Sequence, residues 1–163
     1  MIPVLMFLIS LGGTTYGMAE ETIAFYALVT ATMVAAGFDA ITAASTILLG
    51  STAGVLGSTV NPFVVSSSVD ALKTSGITID QTVIIIVGAI SWLACYAVGA
   101  FYVMRYAKKV KANKGSTILS LQEMEDAKAA YGEKEIAADA KLSGTQKACL
   151  IIFAAAFVVM VIG

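Results

Sequence analysis

The stretch QTVIIIVGAISWLACYAVGAFYVM, residues 81–104, decides the class of fold. It carries no charged side chain and is flanked by Asp80 and Arg105. An α-helix advances about 1.5 Å per residue and a bilayer's hydrocarbon is about 30 Å thick, so roughly 20 apolar residues suffice to cross it. Trp92 lies within the stretch, and Tyr102 and Tyr106 lie near its end, where aromatic rings favour the membrane–water boundary. The spacing predicts a transmembrane helix over 81–104.

Composition agrees. Of the 163 residues, 58% are hydrophobic and 13% charged, about half the charged share of roughly 25% usual in soluble domains. Mean hydropathy is +0.87. The formal net charge of -1 offers no basic surface, so no nucleic-acid partner is expected. The chain has no histidine, which removes the commonest metal ligand and general base. Cys95 and Cys149 lie in apolar runs with neither metal-ligand nor disulfide spacing. No catalytic set emerges and an enzyme is not expected; the partner that composition demands is the lipid bilayer.

Charge is segregated. Nine of the ten Lys/Arg fall in 105–147, and Arg105, Lys108, Lys109, Lys111 and Lys114 directly follow the apolar stretch. Basic residues gather in cytoplasmic loops, so 107–147 is expected to be a solvated cytoplasmic loop. Within it, Ser120-Leu121-Gln122-Glu123 has the pattern of a capping box. Residues 1–106 are expected to form the membrane region, and 148–163 to begin a further transmembrane helix.

Two interruptions mark the membrane region. Residues 2–11 and 22–36 are short apolar arms around Gly12-Gly13-Thr14-Thr15-Tyr16-Gly17-Met18-Ala19-Glu20-Glu21, a pattern that suggests a re-entrant hairpin over 2–36. Residues 40–72 read as one helix broken at Gly57-Ser58-Thr59-Val60-Asn61-Pro62-Phe63. Pro62 supplies no N–H and disfavours helical geometry at Asn61, which frees carbonyls before it. The expected fold is therefore all-α: a polytopic membrane protein with a re-entrant helical hairpin, a broken transmembrane helix and a helix over 81–104. Gly50 and Gly54 have the small-residue spacing of close helix packing.

These interruptions hold the candidate site. Intramembrane acids are costly and mark ion or substrate contacts, which singles out Glu20 and Glu21; their bland alternative is capping the helix that follows. Thr14, Thr15, Ser58, Thr59 and Asn61 supply polar oxygens, with Ser58, Thr59 and Asn61 the candidate Na⁺ ligands. Gly12, Gly13, Gly17 and Gly57 allow tight turns, and Pro62 keeps the break open. No cofactor is expected beyond a coupling ion, Na⁺ or H⁺. The function expected of such a chain is secondary active transport; the alternative is a non-transporting accessory or scaffold protein of the membrane.

The motifs at 12–26 and 57–63, with Tyr102-Val103-Met104-Arg105-Tyr106-Ala107-Lys108 and Phe157-Val158-Val159-Met160, resemble the C4-dicarboxylate anaerobic carrier (DcuC/YfcC-like) family of the ion transporter superfamily. The resemblance implies a multi-pass protein of the bacterial inner membrane, built from inverted repeats whose hairpin tip and helix break face one another around a transport site. Residues 13–21 would be the tip and 57–62 the break of one repeat, the rest of the transporter and a homo-oligomeric partner lying outside this chain. Small carboxylates or basic amino acids would be carried by alternating access, through ion coupling or exchange. Ala27 departs from the family pattern, which places proline after Phe25-Tyr26.

Overall fold

A computed structural model describes residues 1–131 and, beyond them, residues 143–145, 147, 148, 151, 152 and 155. The chain divides into two units, 1–133 and 134–163. In the second, the Lys147 N–H donates to the Ser143 carbonyl at 3.0 Å in the helical manner. Most of the span expected over 148–163 lies outside the described residues.

The first unit is helical, with no strand among the described residues: α1 (Ile2–Tyr16), α2 (Ile23–Ala35), α3 (Ala40–Leu56), α4 (Ser67–Thr74), α5 (Gln81–Ala112) and α6 (Leu121–Tyr131). Local chemistry sets the boundaries. Asp39 caps α3 by accepting from the Thr42 N–H at 2.9 Å, and Asp80 caps α5 by accepting from the Thr82 N–H at 2.8 Å. After α2, Gly37 takes φ +85°, and the Phe38 N–H reaches back to the Met33 carbonyl at 2.9 Å. This is the usual glycine stop for a helix. The capping box also forms: the Ser120 N–H donates to Glu123 Oε2 at 2.8 Å, and the Glu123 N–H to Ser120 Oγ at 3.3 Å.

Helix α3 is central and packs against α1, α2 and α5. At one end, Met6 and Met33 are fully buried and join Ile2, Ala43, Ala100, Val103 and Ala107 in a single apolar cluster. At the other end α1 meets α3 by backbone contact. A Cβ added to Gly13 would lie 2.7 Å from the Ser51 carbonyl oxygen, and one added to Gly54 would overlap that of Ser10. Interhelical attraction in a bilayer comes from such close approach rather than from hydrophobic burial. Gly50 also abuts the Met6 backbone, so the Gly50/Gly54 pair is a packing face as expected.

Two expectations of extent need correction. The hairpin's first arm does not end at residue 11: α1 continues through Gly12, Gly13, Thr14 and Thr15, and only 17–19 leave the helix before the short turn Glu20–Thr22. Contact with α3 needs hydrogen in place of a side chain at Gly13, so that glycine serves packing rather than a turn. Helix α5 likewise runs eight residues past Met104, to Ala112, so the first part of the segment expected as a loop over 107–147 is helical. Hydropathy marks where lipid ends, not where helix ends; the buried stripe Ala100, Val103, Ala107, Val110 crosses that boundary. Among the described residues α5 alone is long and apolar enough to cross a membrane; α1 and α3 are shorter apolar helices. Most of the apolar window of α5 is exposed.

Candidate functional site

The two sequence interruptions meet. Helix α1 stops at Gly17, whose N–H donates to the Gly13 carbonyl at 2.9 Å with φ +76°. Helix α3 stops at Gly57, and the chain resumes helical hydrogen bonding only at the wide π-helical turn Pro62–Ser66. Across this gap Thr14, 1% exposed, donates its hydroxyl to the Gly57 carbonyl at 2.6 Å. The Thr59 N–H and hydroxyl both reach the Thr14 carbonyl, at 3.1 and 3.2 Å. The two hydroxyl oxygens lie 3.2 Å apart. The last turn of α1 thus supplies partners that the break takes away from α3.

Asn61 organises the far side of the break. It is fully buried, its Oδ1 accepts from the N–H groups of Phe63 and Val64 at 2.9 and 3.4 Å, and its Nδ2 donates to Ser58 Oγ at 3.1 Å. Ser58 in turn donates to the Val55 carbonyl at 2.6 Å. Pro62 stands at the first position after Asn61, where its missing N–H costs nothing. Gly17 lies directly against this amide: a Cβ there would fall 2.6 Å from Asn61 Nδ2. Helix α5 closes the other side, where Cβ atoms on Gly57 and Gly88 would overlap the backbone of Trp92 and of Ser58. The Trp92 indole N–H donates to Ser10 Oγ at 3.1 Å, and its ring lies 5.5 Å from that of Phe7.

Of the candidate residues, Gly13, Thr14, Gly17, Gly57, Ser58, Thr59, Asn61 and Pro62 come together at this crossing. Thr15 turns away and bonds the Leu11 carbonyl at 2.7 Å. Glu20 and Glu21 are exposed in the turn that leads into α2, and Glu21 Oε2 accepts from the Ala19 N–H at 3.2 Å. With Cα atoms about 3.8 Å apart along a chain, Glu20 lies within about 11 Å of Gly17. The three candidate Na⁺ ligands divide between two partnerships, Ser58 with Asn61 and Thr59 with Thr14. The crossing is uncharged but rich in oxygen. A hydroxyl that donates its single proton keeps lone pairs for a cation.

A second polar cluster lies where α2, α3 and α5 approach one another, and the sequence reading did not include it. Asp39, 9% exposed, accepts from the Tyr106 and Thr117 hydroxyls through Oδ2, at 2.6 Å each, and from the Thr42 N–H and hydroxyl through Oδ1. Burial would push its carboxyl up, but the bonds from Thr117, Thr42 and Tyr106 outweigh that and hold it below the usual carboxylate range. Beside it the Lys111 ammonium stands 4.8 Å from the centre of the Phe38 ring. The capping role of Asp39 was legible from Gly37-Phe38-Asp39 before an apolar helix. Its partners, 67 and 78 residues further on, carry no local signal.

An uncharged apolar stretch over residues 81–104 of α5, an apolar exterior and two helix ends bonded through a polar crossing are the features of a helical membrane protein. The chain belongs to the C4-dicarboxylate anaerobic carrier family, whose model matches residues 1–163. It is 33% identical over 117 residues to the Escherichia coli (strain K12) protein named "Putative basic amino acid antiporter YfcC", covering 69% of this chain and 21% of that protein. It is 36% identical over 109 residues to a protein of Haemophilus influenzae named only "Uncharacterized protein", covering 65% of this chain and 20% of that one. The chain thus spans about a fifth of the length of these relatives. No solved structure matches it.

Proposed function

We propose that this carrier-family chain forms one side of the transport site of a multi-pass secondary active transporter of the bacterial inner membrane. It moves small carboxylates or amino acids by alternating access, coupled to Na⁺ or H⁺ or by exchange. The observation that carries the reading is the bond from the Thr14 hydroxyl to the Gly57 carbonyl. It joins two helix interruptions that would otherwise leave backbone groups without partners at membrane depth, a geometry tolerated only where protein or a water-filled cavity covers it. In this reading 2–36 is a re-entrant hairpin with its tip at the crossing, and Thr14, Thr59, Ser58 and Asn61 present oxygens to the coupling ion or substrate. Glu20 and Glu21, three and four residues beyond Gly17, supply the negative charge.

The residue chemistry favours a cationic or zwitterionic substrate. The membrane region up to residue 104 has two adjacent glutamates at the tip and Lys73 as its one cation, a poor match for a dianion unless a coupling cation sits between. The name of the Escherichia coli relative, an antiporter of basic amino acids, points the same way. The test is counterflow in proteoliposomes of the full-length protein, preloaded with arginine or ornithine, or with succinate or fumarate, with and without a Na⁺ gradient. Cationic exchange that disappears in Glu20→Gln/Glu21→Gln supports substrate contact at the tip. Na⁺-dependent dicarboxylate uptake assigns those glutamates to the ion instead. No flux of either class removes the reading and favours a scaffold protein.

A further inference from the structure

On the flank of α5 beside its buried stripe, the side chains of Phe101, Met104, Arg105 and Lys108 line an open groove of about 320 Å³. These positions follow one another at helical spacing, so they form a single face. The groove changes character along its length: exposed Phe101 and half-buried Met104, which also packs against the core, make the apolar part, and Arg105 and Lys108 make a cationic end. Among the described residues neither cation meets a carboxylate. The helix also fixes their depth. About 30 Å counted from Gln81 reaches roughly residue 101, so Arg105 stands about 6 Å beyond the hydrocarbon, in the headgroup layer. Lys108 lies about one turn further, and its flexible stem lets the ammonium reach back to the same layer.

From this geometry we infer that the groove is a binding site for an anionic phospholipid of the cytoplasmic leaflet. Arg105 and Lys108 hold the phosphodiester, and an acyl chain lies over Phe101 and Met104. The planar Arg105 guanidinium matches two phosphate oxygens, while Lys108 adds a point charge. The leaflet is supplied by the orientation that places the basic segment inside, where anionic lipid is enriched. The site is separate from the Thr14–Gly57 crossing and does not depend on the substrate assigned there.

The test is lipid retention by the full-length protein, purified in detergent with phosphatidylglycerol or phosphatidylcholine and read by native mass spectrometry. The expected result is retained phosphatidylglycerol in excess of phosphatidylcholine. Binding should weaken about 30-fold in Arg105→Gln/Lys108→Gln, since each cation at the membrane surface contributes about a five-fold factor. Lys114→Gln/Lys128→Gln should bind as the wild type. If the first double variant is not recovered folded, Lys108→Gln alone should show about five-fold weaker binding. Equal retention in both double variants, or an unchanged Lys108→Gln, overturns the inference. So does displacement of the lipid by millimolar glycerol phosphate, which would mark a free-phosphate site. Protection of Arg105 from a guanidine-reactive glyoxal in lipid-free detergent overturns it too, because another part of the protein would then cover the groove.

Discussion

The Thr14 hydroxyl and the Gly57 carbonyl are 2.6 Å apart across 43 residues of chain, and through that bond the end of α1 completes the broken end of α3. Thr14→Val keeps the shape and removes the donor. Interhelical hydrogen bonds in membranes average about 0.6 kcal/mol and reach about 1.7 kcal/mol, so a fall of a few degrees in the detergent melting temperature is expected. The larger effect falls on counterflow, which should drop at least about tenfold, because each tenfold in rate needs only about 1.4 kcal/mol at the site. Thr14→Ser should retain both. Unchanged counterflow in the valine variant would detach this bond from transport.

Gly17 and Gly37 both have positive φ, yet a Cβ on Gly17 would meet the Asn61 amide whereas one on Gly37 would meet nothing within 4 Å. Their alanine variants separate backbone strain from crowding. Gly37→Ala should cost roughly the 1–2 kcal/mol of a left-handed residue, and Gly17→Ala clearly more, with loss of transport. Melting curves of the two variants side by side decide it, and equal losses would show that Asn61 yields freely.

On α5 the same logic sets Gly88 against Gly99. A Cβ on Gly88 would overlap the Ser58 carbonyl, while one on Gly99 would find ordinary contacts of 3.6 Å with Met6 and 3.8 Å with Leu49. Gly88→Ala should therefore push the helix away from the break and lower both stability and flux. Gly99→Ala should be neutral or stabilising, since alanine favours helix by about 1 kcal/mol. Thermal shift and counterflow measured on both variants check the contrast.

Asp39 supplies a pH dependence with a definite sign. Its carboxyl titrates lower in the folded chain than in the unfolded one, because hydrogen bonds from Thr117, Thr42 and Tyr106 more than offset its burial. The unfolded chain then binds the proton more readily on acidification, so this stabilisation is complete above about pH 4 and is lost as pH falls through the folded value. Asp39→Asn preserves a capping oxygen for Thr42 but removes the charge. It should lower stability at pH 7 and flatten the acid limb of a stability–pH curve. An acid limb of unchanged slope would assign that titration elsewhere.

Much of this architecture was legible from local pattern. Residues 81–104 carry no charge, Asp39 and Asp80 precede apolar helices, and Pro62 follows an Asn, so the helix, its caps and the second interruption could be read directly. The Gly/Thr-rich turn misled, because Gly12-Gly13 looks like a helix breaker to any local rule. Only the distant Ser51 and Gly54 backbone makes glycine a packing necessity at Gly13. The end of α5 was misplaced for a related reason, since charge reports contact with water and says nothing about whether the backbone stays helical. The pairing of Thr14 with Gly57, and of Asp39 with Tyr106 and Thr117, joins residues dozens of positions apart, and such pairings are a property of packing.

The lengths of α1 and α3 bear on how the chain enters a membrane. At 15 and 17 residues they reach about 22 and 25 Å, short of the roughly 30 Å of a bilayer's hydrocarbon. Each packs against α5, which alone among the described residues is long and apolar enough to cross a membrane. In the proposed transporter, the seating of α1 and α3 then depends on packing against a helix that lies later in the sequence. A mutation that keeps α5 from forming is therefore expected to unseat α1 and α3 as well.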